Sequence, residues 1–138
     1  MVTASKFIES GTHKKVLVLG SDKMSSIVDY SDRNTCVLFG DGAGAVLLEA
    51  NEEGYGVIDS RLYADGSGFK YLHQVAGGSL NPASEETVKA RQHFVHMEGK
   101  NVFKVAVVKM AESAEEMMTR NNLSSEQIAW LVPHQANQ

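Results

Sequence analysis

Residues 16–20 read Val16-Leu17-Val18-Leu19-Gly20, an unbroken apolar run. A strand with one wet face alternates apolar and polar residues. A run without alternation suits a strand covered on both faces by other layers. That feature favours a layered α/β architecture, because the two covering layers must come from elsewhere in the chain. Ahead of the run, Val2 to Ser10 reads as the last turns of a helix, with Phe7 and Ile8 apolar and Gly11 as its C-terminal stop. No capping sequence precedes that helix, and the chain reads as starting mid-element. Beyond the run, Ser21 to Asn34 is polar and is expected as a loop with a short helical portion. Thr35 to Phe39 is expected as a second strand, Gly40-Asp-Gly-Ala-Gly44 as a tight turn, and Ala45 to Glu49 as a third strand. Asn51 to Gly54 carries hairpin-turn chemistry, leading into a strand around Tyr55 to Leu62.

From Asp65 to about His96 the periodicity fades. Gly66, Gly68, Gly77, Gly78 and Pro82 fall in this stretch, which reads as a functional loop or connector. Asn101 to Asn121 is the clearest helix, with Phe103, Ala106, Met110, Ala114 and Met117 at spacings of three and four. Ser124-Ser-Glu-Gln127 has the capping-box pattern of a further short helix. Trp130-Leu-Val132 is expected as a final strand, stopped by Pro133, and His134-Gln-Ala-Asn-Gln138 follows. A histidine there would sit at the C-terminal edge of a sheet, where α/β proteins place their ligands. With nothing after it to complete a pocket, the chain reads as cut at both ends.

Composition bounds the function classes. Across 138 residues, 43% are hydrophobic and 22% charged, the balance of a globular protein and not a disordered one. The net charge of −4 provides no basic field for non-specific nucleic-acid binding. No apolar run approaches the ~20 residues of a membrane span, and the first ten residues lack a signal peptide's basic start and long apolar stretch. Neither nucleic acid nor membrane is expected as a partner. Cys36 is the single cysteine, so no intramolecular disulfide forms, and a reducing cytoplasm is the expected compartment.

Several motifs invite chemistry and decline it on inspection. Gly40 to Gly44 lacks the spacing of a phosphate loop and leads into a strand-like Ala45-Val-Leu-Leu48, where a phosphate cradle needs a helix N-terminus. A nucleotide-binding domain built on it is the weakest reading. His93 and His96, three apart, would share a helix face, but no further ligand cluster accompanies them, and no metal is expected. Cys36 lies in an apolar segment with no cation beside it in sequence and reads as a buried inert thiol. Met110, Met117 and Met118 read as helix core.

His134 gains weight from its company. Asp32-Arg-Asn-Thr35, Phe39-Gly-Asp-Gly-Ala-Gly44, Ala64-Asp-Gly-Ser67, Met97-Glu-Gly99, Val102-Phe-Lys104 and Trp130-Leu-Val-Pro-His-Gln-Ala-Asn137 occur in this order. In that combination the chain resembles the β-ketoacyl-acyl-carrier-protein synthase III family over nearly its whole length. The resemblance implies a partial thiolase-like α/β fold, a mixed sheet packed with helices. Residues 1–64 would be the latter part of the first half, 65–98 the connecting region, and 99–138 the opening helix and first strand of the second half.

It also implies a reaction. The family condenses acetyl-coenzyme A with malonyl-acyl-carrier protein, with loss of carbon dioxide, to start fatty-acid synthesis. The family's nucleophilic cysteine would lie upstream of Met1 and its catalytic asparagine beyond Gln138, so only the catalytic histidine, His134, is carried. The chain alone is expected to be inactive. By the same resemblance, Arg33, Phe39, Phe103, Ala136 and Asn137 match substrate or coenzyme A positions. Lys104 matches a carrier-protein docking position, and Met24 a residue that reaches across a homodimer into the partner's pocket. Lys100 stands where some relatives carry asparagine. Acyl carrier protein, an acyl-coenzyme A and a second copy are the implied partners, with the thioester as substrate and no separate cofactor. The alternative is a non-catalytic coenzyme A-binding or oligomerising module of the same fold.

Overall fold

The computed structural model describes residues 1–135. It divides the chain into two units, one of Met1–Lys23 with Asp41–Leu62, the other of Met24–Gly40 with Tyr63–Gln138.

In the first unit, α1 (Val2–Glu9) ends at Ser10, and Gly11 follows with φ +73. That left-handed turn is the one a glycine adopts at no steric cost, and its N–H donates to the Ile8 carbonyl at 2.9 Å. The stop expected from the sequence is therefore present. The apolar run forms β1 (Lys15–Asp22), paired antiparallel with β2 (Gly42–Glu49). The register sets Val16 against Leu48 and Leu17 against Leu47. At the open end Lys15 and Glu49 form a 2.7 Å ion pair, which lowers the carboxyl's pKa and raises the amine's.

α1 packs on this ribbon. Val16, Val18 and Leu48 are half-buried, whereas Leu17, Leu19 and Leu47 on the opposite face are 60%, 71% and 57% exposed. The expectation of a strand buried on both faces is thus corrected for the described residues: one face has a helix and the other is bare. Fully burying a leucine contributes about 1.5–3 kcal/mol, so the bare face withholds several times that from the unit's stability. Residues 55–62, expected as a strand, carry no ladder. Gly54 at φ +82 and Gly56 at φ +144 leave the extended region just where pairing would begin.

The second unit opens with a 3-10 turn, Met24–Ser26. The strand expected at Thr35 to Phe39 is instead a succession of turns. Local side-chain bonding outcompetes the β-propensity of Thr-Cys-Val-Leu-Phe here. Asp29 Oδ1 accepts from the Ser31 N–H at 2.8 Å, and Asp32 Oδ1 from the Asn34 N–H at 2.9 Å. The chain then winds through Cys36 N–H to the Asp32 carbonyl and Phe39 N–H to the Thr35 carbonyl, at 3.0 and 3.1 Å. Thr35 is fully buried at the centre of this knot.

The stretch around residues 65–98, periodicity notwithstanding, contains ordered elements. A 3-10 turn (Gly66–Tyr71) is capped by Asp65, whose carboxyl takes the Ser67 N–H at 2.8 Å and is held below its ordinary pKa by the Ser67 hydroxyl first and by that N–H second. β2 is followed in the chain by β3 (Leu72–Gln74), which pairs antiparallel with β4 (Val95–Met97). Between them lies α2 (Glu85–Lys89), opened by a capping box of Ser84 and Thr87. Val28, Ala76 and Val95 are buried here, and the Val95 N–H donates to the Ile27 carbonyl at 2.8 Å.

A side-chain latch reinforces that junction. Arg91 Nη2 donates to Asp29 Oδ2 at 2.5 Å and to Ser31 Oγ at 3.2 Å, and its guanidinium lies 4.9 Å from the Phe94 ring centroid. Arg91 holds φ +59, a conformation that costs a non-glycine residue roughly 1–2 kcal/mol. The Arg91 bond, ahead of the two from Ser31, draws the Asp29 pKa from 3.8 down to about 2. A depressed carboxyl contributes stability above its unfolded pKa and loses it as pH falls through the folded value. Between pH 5 and pH 2 the urea midpoint is therefore expected to fall more in the native sequence than in Asp29→Asn, whose amide does not titrate. Equal falls in both would remove Asp29 from the acid response.

The third helix, α3 (Gly99–Arg120), matches the expected Asn101 to Asn121 closely. It is tied to the preceding loop by the Tyr63 hydroxyl, which donates to Glu116. Ala106, Ala114 and Met117 of the expected stripe are half-buried, but Phe103 and Met110 remain 46% and 38% exposed. After it, Ser124 and Gln127 form the expected capping box, on a single 3-10 turn at Ser125–Gln127. Trp130 to Val132 is not a strand. These residues are 87%, 71% and 87% exposed, and an extended segment without a neighbour has no ladder to join.

The chain exposes 11156 Å² in all. A self-contained domain of this mass exposes about 7,000 Å², and two equal free domains about 8,500 Å². Many large apolar side chains are exposed, Leu19, Trp130 and Val132 among them. No described helix is long and apolar enough to cross a membrane.

Candidate functional site

The six candidate residues among those described, Met24, Arg33, Phe39, Phe103, Lys104 and His134, belong to the second unit. Ala136 and Asn137 lie outside the described residues. Met24 begins the first 3-10 turn and is half-buried, with its carbonyl accepting from the Ile27 and Val28 N–H groups. Arg33 is exposed on the turn set by Asp32, and Phe39 is half-buried at its end. The Asp32 turn thus aims Arg33 outward while burying its neighbour Thr35, a division of labour that an alternating strand would not give.

Phe103 and Lys104 are exposed on the first turns of α3. They are adjacent in sequence, so their side chains leave the helix about 100° apart and do not share one row. His134 is exposed, one residue after Pro133. Proline fixes its own φ and drives the preceding residue into extended backbone, so the histidine is offered from a stiff stem. Among the described residues, the side chains of Arg33, Lys104 and His134 make no hydrogen bond or ion pair. They are donors without internal partners, available to acceptors from elsewhere.

The other candidates resolve differently. Gly42, Ala43 and Gly44 are the first residues of β2, opposite Asp22, Ser21 and Gly20, so the tight turn expected at Gly40 to Gly44 is strand from Gly42 onward, and the helix N-terminus a phosphate cradle needs does not follow it. Cys36 is half-buried in the turns. His93 and His96 do not share a helix. His93 meets the Thr87 hydroxyl at 2.8 Å through Nε2, whereas His96 stands on β4 opposite His73 of β3. The sequence spacing of three suggested a partnership that the hairpin gives to a different histidine. Among the described residues no group of three or more His, Cys, Asp or Glu side chains is placed to hold a metal ion.

Comparison with known proteins supplies the context for this arrangement. Residues 1–66 match the family described as 3-oxoacyl-[acyl-carrier-protein (ACP)] synthase III. The chain is 63% identical over 140 residues to a β-ketoacyl-[acyl-carrier-protein] synthase III of Chlorobaculum tepidum, covering all of this chain and 43% of that protein. It is 62% identical over 138 residues to one from Chlorobium phaeobacteroides, covering 99% of this chain and 42% of that protein. The chain thus spans about two fifths of the length of the curated relatives it matches. Among solved structures, 3-oxoacyl-[acyl-carrier-protein] synthase III from Aquifex aeolicus VF5 is 39% identical with a TM-score of 0.78, over 99% of this chain and 39% of that one. The enzyme of that name from Pseudomonas aeruginosa PAO1 is 32% identical with a TM-score of 0.81, over 99% and 42%. Sequence identity along essentially the whole chain and the shared partial α/β, thiolase-like fold agree: throughout its length the chain is similar to a part of β-ketoacyl-[acyl-carrier-protein] synthase III.

Proposed function

We propose that this chain is the part of a condensing enzyme that presents His134 to a thioester oxygen. In the reaction, a thiolate is acetylated by acetyl-coenzyme A, with coenzyme A as the leaving group. Malonyl-acyl-carrier protein then loses carbon dioxide, and the electron pair of the broken C–C bond becomes an enolate. That carbanion attacks the acetyl carbonyl and expels the thiolate, giving the β-ketoacyl product. A hydrogen-bond donor aimed at the thioester oxygen stabilises charge that exists only as the enolate develops. The observation that carries this reading is the 63% identity to a named synthase in a match that covers the entire chain.

The remaining roles follow the same reading. Arg33, exposed and unpaired, suits stacking on a nucleotide base and contact with phosphate. Phe39 would line an acyl channel, Phe103 and the Ala136-Asn137 pair would meet the substrate, and Lys104 would attract an acidic carrier protein. Met24 would serve a homodimer's neighbouring pocket. The thioester is substrate, no further cofactor is invoked, and the compartment is cytoplasmic.

The direct test is a chimera in which these 138 residues replace their counterpart in the Chlorobaculum tepidum relative. Condensation of acetyl-coenzyme A with malonyl-acyl-carrier protein by the chimera is expected, and a folded but inactive chimera would overturn the reading. The nucleophile is not Cys36, which is half-buried and has no lysine, arginine or histidine beside it in sequence. Incubated with acetyl-coenzyme A, the 138-residue chain should keep its mass of 15.0 kDa unchanged. An acetyl adduct mapped to Cys36 would reassign the nucleophile.

A further inference from the structure

The β3–β4 hairpin places two imidazoles side by side that the condensation reaction does not use. His73 and His96 are directly opposed in the antiparallel register, so their side chains leave the same face of the hairpin. Their ring centroids lie 5.5 Å apart with the planes at 76°. Phe69 stands 6.0 Å from the His73 ring on its other side, edge-on.

Ring packing accounts for part of this arrangement but leaves one atom unexplained. His73 Nδ1 is buried and has no hydrogen-bond partner among the described residues. A buried polar nitrogen left unsatisfied costs about 1–3 kcal/mol, and native structures rarely carry one without a water, an ion or a functional reason. Its other neighbours on the hairpin supply no answer. The Gln74 amide is engaged with the Ala76 carbonyl at 2.8 Å, and His93 with Thr87.

We propose that His73 and His96 form a two-imidazole site for a borderline divalent transition-metal ion. Metal–nitrogen bonds of about 2.0–2.1 Å meeting at a tetrahedral angle place two imidazole centroids about 5.2 Å apart, close to the 5.5 Å observed. His96 is exposed and His73 half-buried with its Nδ1 covered, so an ion reaches the pair from the His96 side of the hairpin. Two neutral nitrogens, with no carboxylate or thiolate grouped with them among the described residues, select ions that favour imidazole; the tetrahedral spacing suits Zn²⁺, and Cu²⁺, which binds imidazole more tightly but prefers tetragonal angles, serves as the spectroscopic probe. The ladder fixes the spacing of the two rings in advance, which is what lets two ligands suffice where unconnected surface histidines would not.

The test titrates Cu²⁺ alone into the chain and into His73→Gln, His96→Gln and His93→Gln. One ion per chain is expected, with an electron paramagnetic resonance signal showing coupling to two ring nitrogens. His73→Gln and His96→Gln should each weaken binding tenfold or more and remove that two-nitrogen pattern, while His93→Gln stays within twofold of the native chain. His96 is exposed, so its variant keeps the fold and the comparison holds even where His73→Gln unsettles the hairpin. Binding that survives His96→Gln unchanged, or that falls equally in His93→Gln, is adventitious surface coordination and overturns the proposal.

Discussion

His134→Ala in the chimera is expected to lower the condensation rate about 10²- to 10³-fold, the usual loss when one donor to a developing oxyanion is removed. The expectation rests on what surrounds the ring. His134 follows Pro133, whose fixed φ and restricted predecessor limit the directions the imidazole can take. It is exposed, and its side chain is not committed to any described residue, so its donor is free for substrate. Losing it should depress kcat and kcat/KM together, since the bond strengthens only in the transition state. Acetyl transfer to the thiol, which generates no enolate, should be affected much less. His134→Gln keeps a donor on a longer, more flexible stem and should recover part of the loss. A chimera whose His134→Ala variant retains full condensation would remove His134 from the reaction while leaving the family assignment intact.

The sequence was legible where a segment's structure depends on itself. α3 and α1 are written in apolar spacing and stop signals, and Gly11 adopts the left-handed turn that its position after α1 demanded. β1 and β2 came through because their register partners are both in the chain. The strands that failed did so for want of neighbours or through local competition. Trp130 to Val132 and Tyr55 to Leu62 have strand composition, yet no ladder among the described residues accepts them. Thr35 to Phe39 has even stronger β-propensity and lost to the Asp29 and Asp32 carboxylates, which bind backbone N–H groups two residues on. The β3–β4 hairpin went unseen because three-residue strands carry too little periodicity to register.

The candidate residues have a different origin. No spacing rule singles out Arg33 or His134, and it is the ordered company of motifs that marked them. The structure leaves both exposed, Arg33 on a turn and His134 in an irregular segment.

Gly77→Ala is expected to cost about 2–3 kcal/mol of stability, the largest loss from adding a single methyl among the chain's glycines. Two effects combine. Gly77 holds φ +107, where a residue with a Cβ pays of order 1–3 kcal/mol. The added Cβ would also stand 3.0 Å from Gln74 Nε2 and 3.4 Å from His93 Nδ1. The Gln74 amide can swing away, but only by giving up its 2.8 Å bond to the Ala76 carbonyl, and Ala76 is 2% exposed. Meanwhile the Gly77 N–H must keep its 2.9 Å bond to the Asn81 carbonyl, so the backbone is not free to relax. Gly54 provides the contrast. It also has a positive φ, +82, but a Cβ there meets nothing within 4 Å, so Gly54→Ala should show the backbone strain alone. Urea denaturation of both variants separates the two contributions, provided the m-value stays constant. Equal losses at the two positions would mean that the packing around Gln74 and His93 yields freely, and that the hairpin is held by its backbone rather than by its side chains.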